Sequence, residues 1–170
     1  MLQIGEKAAP LSSPLDHLIA CHRRIEERLS TLERAGEELS TRPAEALDAI
    51  RSAMQFMETN GLRHTQDEEE SLFPRLLPHL SSDERAFVTT LETEHEQADR
   101  IYEELKRTAA LLPESADHYV RLAGELRALY GGHIRAEEET LIGLARRLLT
   151  ATDIQAIAGE MSMRRAEQDC

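Results

Sequence analysis

The sequence predicts an all-α fold, an up-down-up-down four-helix bundle with a short C-terminal helix. Three observations carry this. Leu, Ala, Glu and Arg dominate the 170 residues while aromatics make up only 4%, a composition that favours helix over sheet. Apolar residues recur at steps of three and four along four long segments, the spacing of one buried helix face. Proline and serine interrupt that periodicity at short intervals, which implies tight connections and antiparallel neighbours.

The first helix opens after Ser12 or Ser13, either of which can cap it, with Pro14 tolerated at the first helical position. Its seam is Leu15, Leu18, His22, Ile25, Leu29 and Leu32, and it ends near Leu39. The second starts around Pro43 and presents Leu47, Ile50, Met54, Met57, Gly61, His64, Glu68 and Leu72. Pro74 and Pro78 kink or end it. Ser81–Glu84 is a capping signal for the third helix. That helix shows Val88, Leu91, His95, Ala98, Tyr102, Leu105, Ala109 and Leu112 before Pro113 breaks it. The fourth opens near Glu114, with Tyr119, Leu122, Leu126, Leu129, His133, Glu137, Leu141, Leu144 and Leu148 inward. A fifth, about Asp153 to Arg164, turns Ile154, Ile157, Ala158 and Met161 to one side. The expected organisation is an N-terminal tail over 1–10, one bundle over 11–150 and a helical tail over 151–170.

The net charge of −12 disfavours nucleic acid and anionic membranes, which need a clustered basic surface. Cys21 and Cys170 make no disulfide framework, so a reducing compartment is expected. With no signal-peptide pattern and no long apolar span, the expected location is cytoplasmic.

Each stripe contains one histidine, His22, His64, His95 and His133, and two contain a glutamate, Glu68 and Glu137. A carboxylate in a bundle core is costly unless paired or bound to a metal. Heights along the bundle bring these groups level. His22 lies roughly 17 residues before the first turn and His64 roughly 20 after it, about 25 and 30 Å at 1.5 Å per residue. The same count matches His95 with His64 and Glu68, and His133 with His95. His64–Glu68 and His133–Glu137 each lie one helical turn apart on the same face. That spacing lets an imidazole bind one metal while its carboxylate reaches a second. Such mixed ligation suits iron, with manganese or zinc as alternatives. His22, inside the Leu stripe, is preferred to His17, which points away from it; His79 and His118 read as solvated.

The stretches LIACHRRIEERL, LRHTQDEEESLFPRL, LETEHEQADRIYEEL and YGGHIRAEEETLIGLA resemble the hemerythrin-like (HHE cation-binding) proteins over roughly Leu11 to Thr150. The resemblance implies a non-heme centre of two iron ions inside a four-helix bundle, bridged by carboxylates and an oxo or hydroxo group. It further implies binding of dioxygen or a related small oxidant, nitric oxide or peroxide. Its ligands would be His22, His64, Glu68, His95, His133 and Glu137. Oxygen-carrying members place two histidines four apart on the third helix, where this chain has Leu91 and Asp99 beside His95. They also commonly use Asp where Glu137 stands. This likeness to the bacterial, regulatory or iron-handling branches implies sensing or stress response rather than oxygen carriage. Glu26, Glu69, Glu94, Tyr130 or water could complete the coordination. A di-iron enzyme (oxidase, peroxidase or iron-centre repair) and iron storage or delivery remain open, as does any protein partner.

Smaller expectations complete the reading. The acidic runs Asp67–Glu70 and Glu137–Glu139 are mostly solvated, with one residue of each turned inward. Gly131–Gly132 allows close backbone approach, a local distortion or a small-molecule path beside His133. Met54, Met57 and Tyr102 fill the core.

Overall fold

The computed structural model describes residues 13–166, and these form an all-α bundle without strands. Helix α1 spans Pro14–Glu37. The second arm begins with α2 (Pro43–Phe56) and continues through a π-helical turn at Met57–Gly61, α3 (Leu62–Gln66), a second π turn at Asp67–Leu72 and α4 (Phe73–Leu76). A 3-10 turn, Leu77–His79, closes that arm. Helix α5 spans Ser82–Ala109. The last arm is α6 (Ala116–Ala136), a π turn at Glu137–Leu141 and α7 (Ile142–Leu148), followed by α8 (Ala151–Ala166). The expected tail over 1–10, and Ser12 as a cap, fall outside the described residues.

Local chemistry sets the ends. The Ser13 hydroxyl accepts from the Asp16 backbone N–H at 3.3 Å and caps α1. Ser81 and Glu84 form a reciprocal capping box on α5, with Ser81 N–H donating to Glu84 at 2.8 Å. The fourth arm starts at Ala116, two residues later than the sequence suggests.

The sequence anticipates a kink at Pro74; the structure places a wide turn just before it. Pro74 has no N–H, and its ring crowds the carbonyl four residues back. The π turn absorbs this, with the Phe73 N–H donating five residues back to Glu68. The second-arm seam is also shifted: Ala46 and Ala53 are buried, while Leu47 and Met54 pack from its margin.

The apolar interior is divided in two. One cluster joins Ile25, Leu29, Leu32, Ile50, Leu105, Tyr119 and Leu126 around the first and third turns. The other joins Leu18, Leu72, Phe73, Leu76, Leu91, Leu141 and Leu144 with Ile157 and Met161 of α8. Helix α8 is therefore seated on the second half of the core. Fully burying each such side chain contributes about 1.5–3 kcal/mol. Three of the stripe histidines lie between the clusters in sequence, as His22 does between Leu18 and Ile25; His133 is followed by Ile134 of the first cluster before Leu141 of the second.

Gly131–Gly132 does not serve close approach, since a Cβ on either would meet nothing within 4 Å. Both also lie in regular α-helix, ahead of the distortion at Glu137. The tight crossing is at Gly36, where a Cβ would fall 2.8 Å from the Tyr119 ring and 2.9 Å from Val120. Two substitutions should therefore act with opposite sign. Gly132→Ala, exposed and mid-helix, stabilises by up to about 1 kcal/mol. Gly36→Ala forces aside the buried Tyr119 ring at a cost of about 1–3 kcal/mol, a net destabilisation. Urea melts of the two variants check this, and a stabilised Gly36→Ala would refute the packing argument.

Candidate metal centre

Six side chains from the four arms meet between the two apolar clusters. His22 comes from α1, His64 from α3, His95 from α5 and His133 from α6. Glu68 and Glu137 stand on the second and third π turns. Glu68 and Glu137 are 1% and 0% exposed, and none of the four histidine residues exceeds 4%. Each HxxxE pair closes within its own arm, His64 Nε2 to Glu68 Oε1 at 3.3 Å and His133 Nε2 to Glu137 Oε1 at 3.0 Å.

The second oxygen of each carboxylate crosses the bundle. Glu68 Oε2 lies 3.4 Å from His95 Nε2, and Glu137 Oε2 lies 3.1 Å from His22 Nε2. The layer therefore resolves into two groups, His22–His64 and His95–His133, with Glu68 and Glu137 common to both; either group could hold a metal ion. Within each group the ligand atoms lie within 4.8 Å of one another. Bonds of about 2.0–2.2 Å at right angles leave adjacent ligand atoms about 3 Å apart, which is the spacing seen here.

The outer ring nitrogens are held by a second set of carboxylates. His22 Nδ1 pairs with Glu138 Oε1, His95 Nδ1 with Glu69 Oε1 and His133 Nδ1 with Glu94 Oε2, each at 2.8 Å. Such partners fix an imidazole's tautomer and orient its other nitrogen toward a metal. Glu138 is itself held by Arg23, which Glu26 also engages at 2.5 Å. Of the extra candidates from the sequence, Glu69 and Glu94 thus touch ligand imidazoles, while Glu26 stands two bonds further out. Tyr130 packs edge-on to His133 with ring centroids 6.2 Å apart.

In the second acidic run only Glu137 is buried, as expected, but the first departs at one residue. Asp67 is buried as completely as Glu68; Glu69 stays exposed yet reaches His95, and the half-buried Glu138 reaches His22. One signal was available: each outer carboxylate is adjacent in sequence to an inner ligand candidate, as Glu94 is to His95. Among the other histidines, His17 lies against Arg165 at 2.9 Å and His118 against Glu104 at 3.1 Å. Neither joins the layer.

The polar atoms of the layer fit a cation. His22 Nε2, Glu68 Oε2 and both Glu137 oxygens are buried without a hydrogen bond, a costly condition that a bound cation relieves. The electrostatics agree. Burial pushes His64 down to about 3, against the pull of Glu137. Burial and the facing Glu137 carboxylate push Glu68 well above the usual carboxylate range. Burial acts on Glu137 in the same sense, but His133 and His22 outweigh it and hold Glu137 low. His133 is raised, its burial being offset by the Glu137 and Glu68 carboxylates. Two like charges at this depth do not both ionise without a counter-charge.

Beside the layer is a cavity of about 390 Å³, whose lining includes Gly61, Ala98, Asp99, Tyr102, Leu126 and Tyr130. Its inner wall lies one turn from three of the stripe histidines. Tyr102 donates to the Met54 carbonyl at 3.1 Å, so it ties α5 to α2 besides filling the core. Gly131 lines a separate shallow recess with Arg23, Glu26 and Glu138.

A family model described as the hemerythrin HHE cation binding domain matches residues 13–145. No curated protein matches the chain. Among the described residues no helix is long and apolar enough to cross a membrane.

The titration pattern has a consequence for metal uptake. Without metal, Glu68 retains a proton to higher pH than a free carboxylate, and His133 to higher pH than a free imidazole. A divalent cation must displace both protons. Apparent affinity therefore rises with pH and falls toward acid, and loading a weakly buffered sample releases protons. Chelator competition across pH measures this, and a flat profile would contradict the assignment.

Proposed function

Because the chain belongs to the hemerythrin HHE cation-binding domain family, we propose that this layer holds two iron ions. The centre binds dioxygen or a related small oxidant, nitric oxide or peroxide, in sensing or stress response. His22 and His64 would hold one ion and His95 and His133 the other, with Glu68 and Glu137 available to both. The observation that carries the reading is the division of each carboxylate's two oxygens between two histidine pairs. When bound, the iron pair supplies reducing electrons and coordination positions that the protein leaves open.

The chain's own residues do the rest. Two imidazoles and two shared carboxylates would supply the protein's donors to each ion. Glu69, Glu94 and Glu138 keep three imidazoles aimed inward. The two apolar clusters close the layer above and below. The cavity past Tyr130 and Gly61 serves as the approach. Glu58, Asp99 and Glu103 outnumber the single ammonium of Lys106 along it, and Lys106 pairs with both glutamates, at 3.4 and 3.2 Å. A negative entrance favours uncharged molecules over anions. The cavity also exceeds what a diatomic needs, the one feature favouring the second reading, an oxidase or peroxidase acting on a small organic molecule.

Purified protein loaded anaerobically with ferrous iron is expected to hold two irons. His64→Ala and Glu137→Ala should each lose metal, and undiminished iron in both would refute the site. Exposure to oxygen then separates the readings. A reversible charge-transfer band supports binding, whereas irreversible oxidation with peroxide consumption supports the enzyme.

Access is tested separately. A Gly61 side chain would grow beside the flexible end of Met57, 3.4 Å from a new Cβ, and narrow the cavity. Gly61→Leu is expected to slow oxidation by dioxygen several-fold while iron stoichiometry stays at the wild-type value. An unchanged rate would place the route elsewhere.

A further inference from the structure

Helix α8 lies beyond the matched family segment, yet its last turns grip the π turn that carries Glu68. Asp67, fully buried, accepts from Arg164 Nε at 2.8 Å and from Arg165 Nη2 at 2.7 Å. Arg164 Nη2 donates to the Ser71 hydroxyl at 2.6 Å. Glu160 holds Arg75 at 2.7 Å, and Arg75 donates to the Ser71 carbonyl at 2.9 Å. The turn is thus held at its Asp67 carboxylate, its Ser71 hydroxyl and its Ser71 carbonyl.

Docking α8 does not require this network, because Ile157 and Met161 already bury it in the core. A buried carboxylate needs its partners, and the rigid planar fork of arginine fixes direction as well as charge. The clamp also falls on one particular arm. His22, His95 and His133 each have an outer carboxylate, whereas His64 Nδ1 is buried without a hydrogen bond. The arm carrying His64 and Glu68 therefore lacks the orienting partner that the other three possess.

We propose that α8 is a positioning element of the metal centre: Arg164 and Arg165, acting through Asp67, fix the π turn so that Glu68 serves both histidine pairs. The inference rests on the proposed metal-binding function. Coupling of this kind is reciprocal, so metal loading tightens α8 in return.

The test uses the full chain. Asp67→Asn and the double variant Arg164→Ala/Arg165→Ala are compared with wild type for ferrous iron affinity by chelator competition. The visible spectrum of cobalt(II)-loaded protein reports ligand geometry. Both variants should bind iron about 10–100-fold more weakly, the usual effect of losing a ligand's orienting partner, with an altered cobalt(II) spectrum. Leu122→Ala, a packing lesion in the other half of the core, should leave both readouts at wild-type values. Arg164→Lys/Arg165→Lys should restore part of the affinity.

In wild type, metal loading should slow amide exchange over residues 157–165, a measurement that needs no variant. Wild-type affinity and spectrum in Asp67→Asn, an equal loss in Leu122→Ala, or exchange that ignores metal would each overturn the clamp. Should the variants fail to fold, the exchange measurement decides alone. Wild type that takes up no metal would sink the underlying reading first, an outcome distinct from a clamp that fails in a metal-binding protein.

Discussion

Two carboxylates buried at mid-height in a helical bundle are the constraint on which this structure turns. Removing a carboxylate from water costs several kcal/mol even after relaxation, and Glu68 and Glu137 face each other across the same small space. Four imidazoles surround them, and their pull outweighs that cost at Glu137 but not at Glu68. The consequence is visible in the opposed displacement of the two glutamates, Glu68 pushed above the ordinary carboxylate range by burial and Glu137 drawn below it by His133 and His22. A centre of this kind is built for positive charge. Apolar packing above and below it keeps the four arms in place against their mutual electrostatic strain.

The π turns belong to the same logic. An ordinary α-helix advances about 100° per residue, so a fixed seam limits which side chains can share a face. The turns at Asp67–Leu72 and Glu137–Leu141 insert extra width where the two buried carboxylates emerge. π turns inside α-helices recur at functional sites. For the first, Pro74 supplies a local cause. For the second we find no feature of the sequence that demands it.

The third arm contributes a single histidine to the centre. Leu91 is sealed in the lower apolar cluster, while Asp99 lines the cavity. Neither position beside His95 offers an imidazole, so the two histidine pairs are equal in number. The space on the Asp99 side is an open chamber bordered by Tyr102 and Tyr130. Burial, reinforced by Asp99, raises the Tyr130 phenol, which keeps its proton in place next to the layer.

Periodicity determined the helices and, apart from the shifted seam of the second arm, the inward face of each, because a buried stripe repeats with the helix and leaves its phase in the sequence; serine and proline marked the ends. His22, His64, His95, His133, Glu68 and Glu137 were legible for that reason, as polar residues on apolar stripes whose heights agreed. Which oxygen faces which nitrogen was not. That depends on pairs such as His22 with Glu138, 116 positions apart, and no helix's own pattern records its partner across the bundle. The Asp67 clamp, the Glu138 contact to His22 and the tight crossing at Gly36 escaped the sequence for the same reason. Their charge runs and glycine look solvated or permissive until a second element is packed against them.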